Sequence, residues 1–132
     1  NPTRYQFFCP TALKQYGDVP ASASHWVLMT RSVLSSSRNQ THESCVRLIE
    51  EYQKYEMPKA LDAATALFLE YLNSGIRLYN DNPSTYTHCQ ELCADYHLVV
   101  GCFAPSGLYI NSDSLHLGDY VTIGVGAVRK LE

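Results

Sequence analysis

Charged residues are scarce in this sequence, and they form no long run of one sign. They make up 17 % of the 132 residues, with ten Lys and Arg against thirteen Asp and Glu, which gives a net charge of −3. Surfaces that bind nucleic acids or anionic membranes need clustered Lys and Arg, and the longest basic run here is Arg129-Lys130. We therefore expect neither nucleic acid nor membrane as a partner.

Long apolar runs and secretion signals are missing as well. No apolar stretch approaches the ~20 residues that a membrane-spanning helix requires, and no signal peptide opens the chain. The five cysteines are odd in number and lack the paired spacings of small disulfide-bonded scaffolds. These absences predict a cytoplasmic or nuclear protein with reduced thiols and no cofactor.

The length suits one domain. With 45 % hydrophobic residues, 132 residues can bury a core of their own. The chain begins at Asn1 rather than Met, and Leu131-Glu132 matches a dipeptide that cloning sites leave before an affinity tag. We expect residues 1–132 to be a single domain cut from a longer protein.

Apolar side chains recur at helical spacing along most of the chain. The pattern is clearest from Lys59 to Tyr79, where alanine, leucine and glutamate dominate and no proline occurs. Four helices are predicted, over residues 24–36, 41–57, 59–79 and 87–101. The predicted fold class is therefore α+β and mainly α, a small helical bundle of about four helices.

The period changes near the C-terminus. Leu108 and Ile110 alternate with Tyr109, and Val121, Ile123, Val125 and Ala127 fall on one face of an extended segment. This alternation predicts a short antiparallel β element, which residues 5–8 could join.

One segment combines potential metal ligands. Cys89, Cys93 and His97 would lie at successive i, i+4 positions of the fourth predicted helix. Zinc needs four convergent donors, and three ligands along one straight helix are too far apart to converge. The pattern favours buried core cysteines, with a metal site at these three residues as the weaker alternative.

Tyrosine is the one abundant aromatic. Ten tyrosines are many for this length, and tyrosine is enriched at protein interfaces because it combines apolar area with a hydroxyl. Tyr55, Tyr109 and Tyr120 are the predicted exposed binding residues.

These observations favour a non-catalytic protein–protein interaction or oligomerisation domain, with the character of an adaptor. It would bind a partner segment or a second copy through a groove between the second and third helices, or through the sheet edge formed by residues 120–128. No catalytic residue is predicted, because five cysteines and five histidines give no distinguished nucleophile–base pair. The alternative is a small cysteine- or metal-dependent enzyme.

Overall fold

A computed structural model of the chain describes residues 5–7, 27–93, 95–113 and 121–129. Within these ranges there are two helices, α1 (His42–Glu50) and α2 (Ala60–Ser74). The same ranges contain seven strands: β1 (Tyr5–Phe7), β2 (Tyr55–Glu56), β3 (Tyr86–Cys93), β4 (Tyr96–Ala104), β5 (Gly107–Ser112), β6 (Ile123–Gly124) and β7 (Val128–Arg129).

Five of the strands form one mixed sheet in the order β1-β5-β4-β3-β6. The three central strands pair antiparallel, whereas β1 and β6 lie parallel to their neighbours at the two edges. Strands β2 and β7 form a separate antiparallel pair. The prediction of a mainly helical, four-helix bundle is therefore wrong, since the described part of the chain is mainly sheet and contains two helices.

The fourth predicted helix is in fact the β3–β4 hairpin. Its sequence is rich in β-branched and aromatic residues, which fit a pleated surface better than a helix. The register shifts between His88 and Leu92, and again between Gly101 and Ala104. These irregularities break the two-residue alternation that would have identified the strands, and the remaining apolar spacing resembles a helical one.

The first predicted helix, over residues 24–36, is also wrong where the structure describes it, from residue 27 onward. Residues 27–36 form extended segments and turns. Their backbone N–H groups donate hydrogen bonds to carbonyls of the C-terminal segment. The Thr30 N–H donates to the Ala127 carbonyl at 3.0 Å, and the Leu34 N–H donates to the Val125 carbonyl at 2.8 Å. Pairing with a distant segment thus replaces the helix that the local apolar spacing predicted.

The second and third predicted helices are present but shorter than expected. Helix α1 begins where predicted, because the Thr41 hydroxyl accepts the Ser44 N–H at 3.1 Å. Helix α2 ends at Gly75, whose φ of 76° gives a left-handed cap that glycine adopts at low cost. The predicted continuation to Tyr79 is therefore wrong.

The start of α2 is fastened to β3. The Glu91 carboxylate accepts the Ala60 N–H with its two oxygens at 2.9 and 3.2 Å. It thereby caps a helix whose own N-cap residue, Lys59, makes no side-chain cap bond. The Gln90 side chain donates to the Met57 carbonyl at 2.5 Å. The sheet therefore fixes the position and direction of this helix.

The two helices are buried in different apolar clusters. Helix α2 places Ala63, Ala64 and Leu67 against the sheet, where Val100 and Phe103 are fully buried. The buried residues of α1 belong to a second cluster, which consists of Cys45, Ile49, Met57 and Val125. Each helix is thus stabilised by strands and loops rather than by the other helix.

The predicted C-terminal β element is only partly right. Residues 108–110 do lie in strand β5, but residues 121–127 are not one continuous strand. Strand β6 pairs with β3, whereas β7 pairs with β2 in the other sheet. The intervening residues 125–127 are buried.

Buried hydroxyls hold this intervening segment. The N–H groups of three consecutive residues, 125, 126 and 127, each donate to a side-chain hydroxyl. The acceptors are Ser37 Oγ at 3.1 Å, Thr87 Oγ1 at 2.8 Å and Thr30 Oγ1 at 3.1 Å. Unpaired N–H groups at this depth would be costly, so the hydroxyls allow non-strand backbone to lie in the core.

Substitution of Thr87 by valine tests this arrangement, because valine keeps the shape and removes the acceptor. We expect Thr87→Val to lower the free energy of unfolding by about 1–3 kcal/mol, since the buried Gly126 N–H loses its partner. Urea denaturation measures the change. Thr65→Val, at an exposed position on α2, is the control and should change stability by less than about 0.5 kcal/mol. Equal effects of the two substitutions would contradict the role assigned to the Thr87 hydroxyl.

Candidate functional site

One face of α2 is apolar and open to solvent. Leu61, Thr65, Leu69 and Leu72 follow one another at intervals of four, four and three residues, so they lie along one side of the helix. The leucines are 49 %, 60 % and 69 % exposed, and Thr65 is exposed too. We call these four residues the α2 outer face. Ile76, just beyond the helix, is 48 % exposed.

The α2 outer face carries no charge. The acidic residues of the helix, Asp62 and Glu70, lie to one side of it, and the Glu70 carboxylate accepts a hydrogen bond from the Arg31 guanidinium at 3.0 Å. The sheet covers the opposite side of α2, where Ala63 and Leu67 are buried. The helix is thus apolar over a wider arc than the sheet covers, which is typical of a contact surface.

The three predicted tyrosines do not form one site. Tyr55 is half-buried in β2 and lines a cleft of about 260 Å³ with Tyr52, Lys54 and Met57. Tyr109 is half-buried in β5, in the other sheet. Tyr120 lies outside the described residues. Their individual roles in binding stay predictions.

The two predicted binding surfaces involve α1, α2 and the C-terminal segment. Helices α1 and α2 are buried in separate clusters, and the groove expected between them stays a prediction. The backbone carbonyls of Ile123 and Val125 accept N–H groups from Asn39 and Leu34. The edge expected at residues 120–128 is thus covered from residue 123 onward by the segment that precedes α1.

The candidate metal ligands lie on the β3–β4 hairpin rather than on a helix. Cys89 is fully buried, and its thiol donates to the Thr87 carbonyl at 3.7 Å. His97 pairs across the hairpin with Leu92, and the side chain of Cys93 is outside the described part of the chain. Among the described side chains, no group of three or more His, Cys, Asp or Glu is arranged to hold a metal ion.

Three histidines and one aspartate do converge beside this hairpin. The ring of His42, the first residue of α1, stacks on the ring of His97 in β4, with centroids 3.5 Å apart and planes 11° apart. The His88 ring meets His42 edge-on, with centroids 5.4 Å apart. The buried Asp113 carboxylate lies 3.8 Å from His97 Nδ1 and accepts the His97 backbone N–H at 3.1 Å. We call His42, His88, His97 and Asp113 the histidine cluster.

Burial lowers the pKa of His42 below its ordinary value. The neighbouring His97 ring lowers this pKa further, while the Cys89 carbonyl, 3.0 Å from His42 Nε2, and the Asp113 carboxylate oppose the change. The neutral form of His42 is therefore the one that the fold favours.

Two thiols that an enzyme could have used are held in the protonated form. Burial raises the pKa of Cys45 to about 11, and it raises the pKa of the fully buried Cys89 well above its usual value. A cysteine nucleophile needs the opposite, a lowered pKa beside a base. Neither residue supports the enzyme alternative.

Sequence reasoning missed both features of the site. Helical spacing in the Lys59–Tyr79 stretch predicts an apolar helix, but it does not reveal that the neighbouring elements leave Leu61 and Leu72 uncovered. The histidine cluster joins positions 42, 88, 97 and 113, and only recognition of the hairpin would have indicated that residues 88 and 97 lie near each other.

Comparison with other proteins suggests no family or function for the chain. No protein-family model, curated protein or solved structure matches the chain. Within the described residues, neither helix is long and apolar enough to cross a bilayer.

Thiol reactivity tests the structural reading of the cysteines. At pH 8, Cys45 of the native protein should react with Ellman's reagent about a hundredfold more slowly than a free thiol, because a pKa of about 11 leaves little thiolate. Cys89, whose pKa is also raised by burial, should react slowly as well. In guanidinium chloride both should react at once. The Cys45→Ala/Cys89→Ala double variant is the control, since it should retain every fast-reacting native thiol. Rapid native reaction of either residue would instead support the cysteine-enzyme alternative.

Proposed function

We propose that this chain is a non-catalytic association module that pairs with a second copy of itself through the α2 outer face. The observation that carries the proposal is the set of three leucines, half to two-thirds exposed, aligned on one side of a helix whose other side is already buried. Scattered exposed leucines are ordinary on a protein surface, but an aligned and uncharged set indicates a contact surface.

The spacing of the face suits a second copy in antiparallel orientation. If two α2 helices cross between Thr65 and Leu69, Leu61 of each copy meets Leu72 of the other, and Thr65 meets Leu69. A large side chain then lies opposite a smaller one at the centre, which favours close helix packing.

The charges of α2 give no preference between the two orientations. In the antiparallel register Asp62 of one copy lies near the level of Glu70 of the other, and the Glu70 carboxylate is already bonded to Arg31 of its own chain. The uncharged face also offers nothing with which a charged partner segment could be selected.

The expected affinity is modest. Complete burial of a leucine side chain stabilises by about 1.5–3 kcal/mol, so finishing the burial of six partly exposed leucines contributes roughly 6–12 kcal/mol. Association costs roughly 4–15 kcal/mol in lost freedom. The two terms are of similar size and leave a surplus of only about 4–5 kcal/mol, so the dimer should be weak and should depend on concentration.

Sedimentation equilibrium over a range of protein concentrations tests the proposal. The wild-type chain should shift from the mass of one chain towards twice that mass, with a Kd on the order of 0.1–1 mM. Leu69→Asp should abolish the shift, because a charge at the centre of the face would be buried without a partner. Val121→Asp is the matched control: Val121 is similarly exposed, at 58 %, but lies in the turn before β6 and outside α2.

A charge exchange tests the orientation. Leu61→Lys combined with Leu72→Glu should retain association, since lysine meets glutamate in the antiparallel register. Leu61→Lys combined with Leu72→Lys should be monomeric. A chain that stays monomeric at every concentration would overturn the proposal, and Leu69-dependent binding of a synthetic apolar helical peptide by that monomer would assign the face to a partner segment instead.

A further inference from the structure

We propose that the stacked pair of His42 and His97 is a proton-operated latch, which releases the start of α1 from the β3–β4 hairpin when both rings become charged. This inference concerns the histidine cluster and does not depend on the α2 outer face.

The stacked rings join two separate elements of the fold. His42 belongs to the first turn of α1 and His97 to β4, and their centroids are only 3.5 Å apart. A second bond from the same side chain, between His42 Nε2 and the Cys89 carbonyl at 3.0 Å, fastens α1 to β3. When both rings are neutral, the stack is an ordinary aromatic contact. When both are charged, two positive charges repel at contact distance in a partly buried place.

Only one of these two charges has a compensating partner. The Asp113 carboxylate lies 3.8 Å from His97 Nδ1, and its other oxygen is held by the His97 backbone N–H. Asp113 itself is nearly buried, so its single negative charge acts on this pair rather than on solvent ions. One proton on the pair is therefore balanced, and a second proton is not.

Among the described residues, the other titratable groups around the pair do not supply a second negative charge. On β3, His88 meets His42 edge-on and would add a further positive charge if protonated. The Glu91 carboxylate is turned to the Ala60 N–H, and on α1 Glu43 lies 3.7 Å from the Arg47 guanidinium. The hairpin turn carries Asp95, which is exposed to solvent.

The direction of the pH effect follows from His42. Burial lowers its pKa in the folded protein, whereas the unfolded chain takes up the proton near pH 6.5. As the pH falls below about 6.5, the unfolded chain binds the proton first, so the folded state loses stability. The loss ends at the pH where the folded protein is protonated as well. Above pH 7.5 His42 is neutral in both the folded and the unfolded chain, so its protonation does not affect the free energy of unfolding.

Stability measured against pH, in matched variants, tests the latch. His42→Phe keeps an aromatic ring on His97 and removes one charge, so its urea midpoint should fall less than that of the wild type between pH 7.5 and 5. Asp113→Asn removes the compensating charge, so its midpoint should fall more steeply below about pH 6.5 and continue to fall to a lower pH. His97→Phe removes the charge of the other ring. It serves for the same comparison if His42→Phe does not fold.

Local opening supplies the second measurement. At pH 5, amide hydrogen exchange in the first turns of α1, at Cys45 and Val46, should accelerate about tenfold beyond the intrinsic change with pH. Amides in the middle of α2 should not accelerate in this way. If His42→Phe and the wild type lose stability equally, or if exchange in α1 and α2 responds alike, the latch does not exist.

Discussion

The fold depends on the hydroxyls that receive the backbone of residues 125–127. Ser37, Thr87 and Thr30 come from the loop before α1, from β3 and from the extended segment at residues 27–36. Each hydroxyl accepts one N–H and donates its own proton to a nearby carbonyl; Ser37 and Thr87 are buried, and Thr30 is half-buried. Since an unpaired buried N–H is costly, these contacts decide where the C-terminal segment can lie.

The same segment connects the two sheets. Gly126 allows no side chain at its position, because a Cβ atom there would overlap the Tyr79 hydroxyl. That hydroxyl donates to the Thr30 carbonyl at 2.9 Å. Gly101 has a similar role in β4, where its φ of 153° and its closeness to the Thr85 backbone exclude a Cβ. The Tyr79 side chain at Gly126 and the neighbouring backbone at Gly101 thus leave room only for glycine at these two places.

Local chemistry in the sequence was sufficient to predict some elements. The Thr41 cap and the alanine- and leucine-rich stretch after Lys59 identified α1 and α2, since caps and helix propensity act within a few residues. The C-terminal end of α2 was not predicted, because the predicted helix continued past Gly75, which ends the observed helix as a left-handed cap. Strand β5 was also predicted, from the alternation around Tyr109.

The remainder could not be predicted from local patterns. Residues 87–101 contain apolar side chains at helical spacing, but the register shifts of the hairpin that remove the alternation arise from contacts with other strands. The α2 outer face required knowledge of how far the sheet extends over the helix. The histidine cluster required the relative placement of α1, β4 and the end of β5. In each case the decisive interactions join residues far apart in sequence, whereas the spacing of apolar residues gives only local information.

The two edges of the main sheet come from opposite parts of the chain. Strand β1 pairs with β5, which lies about a hundred residues further along the sequence. Strand β6, which pairs with β3, is synthesised after the other four strands of the sheet. On a ribosome, the β3–β4–β5 meander can form early from neighbouring residues, but its flank beside Thr87 stays open to water. The emerging polypeptide should therefore remain a client for chaperones until residues 123–129 have left the exit tunnel, and such dominance of long-range pairing also makes refolding slow.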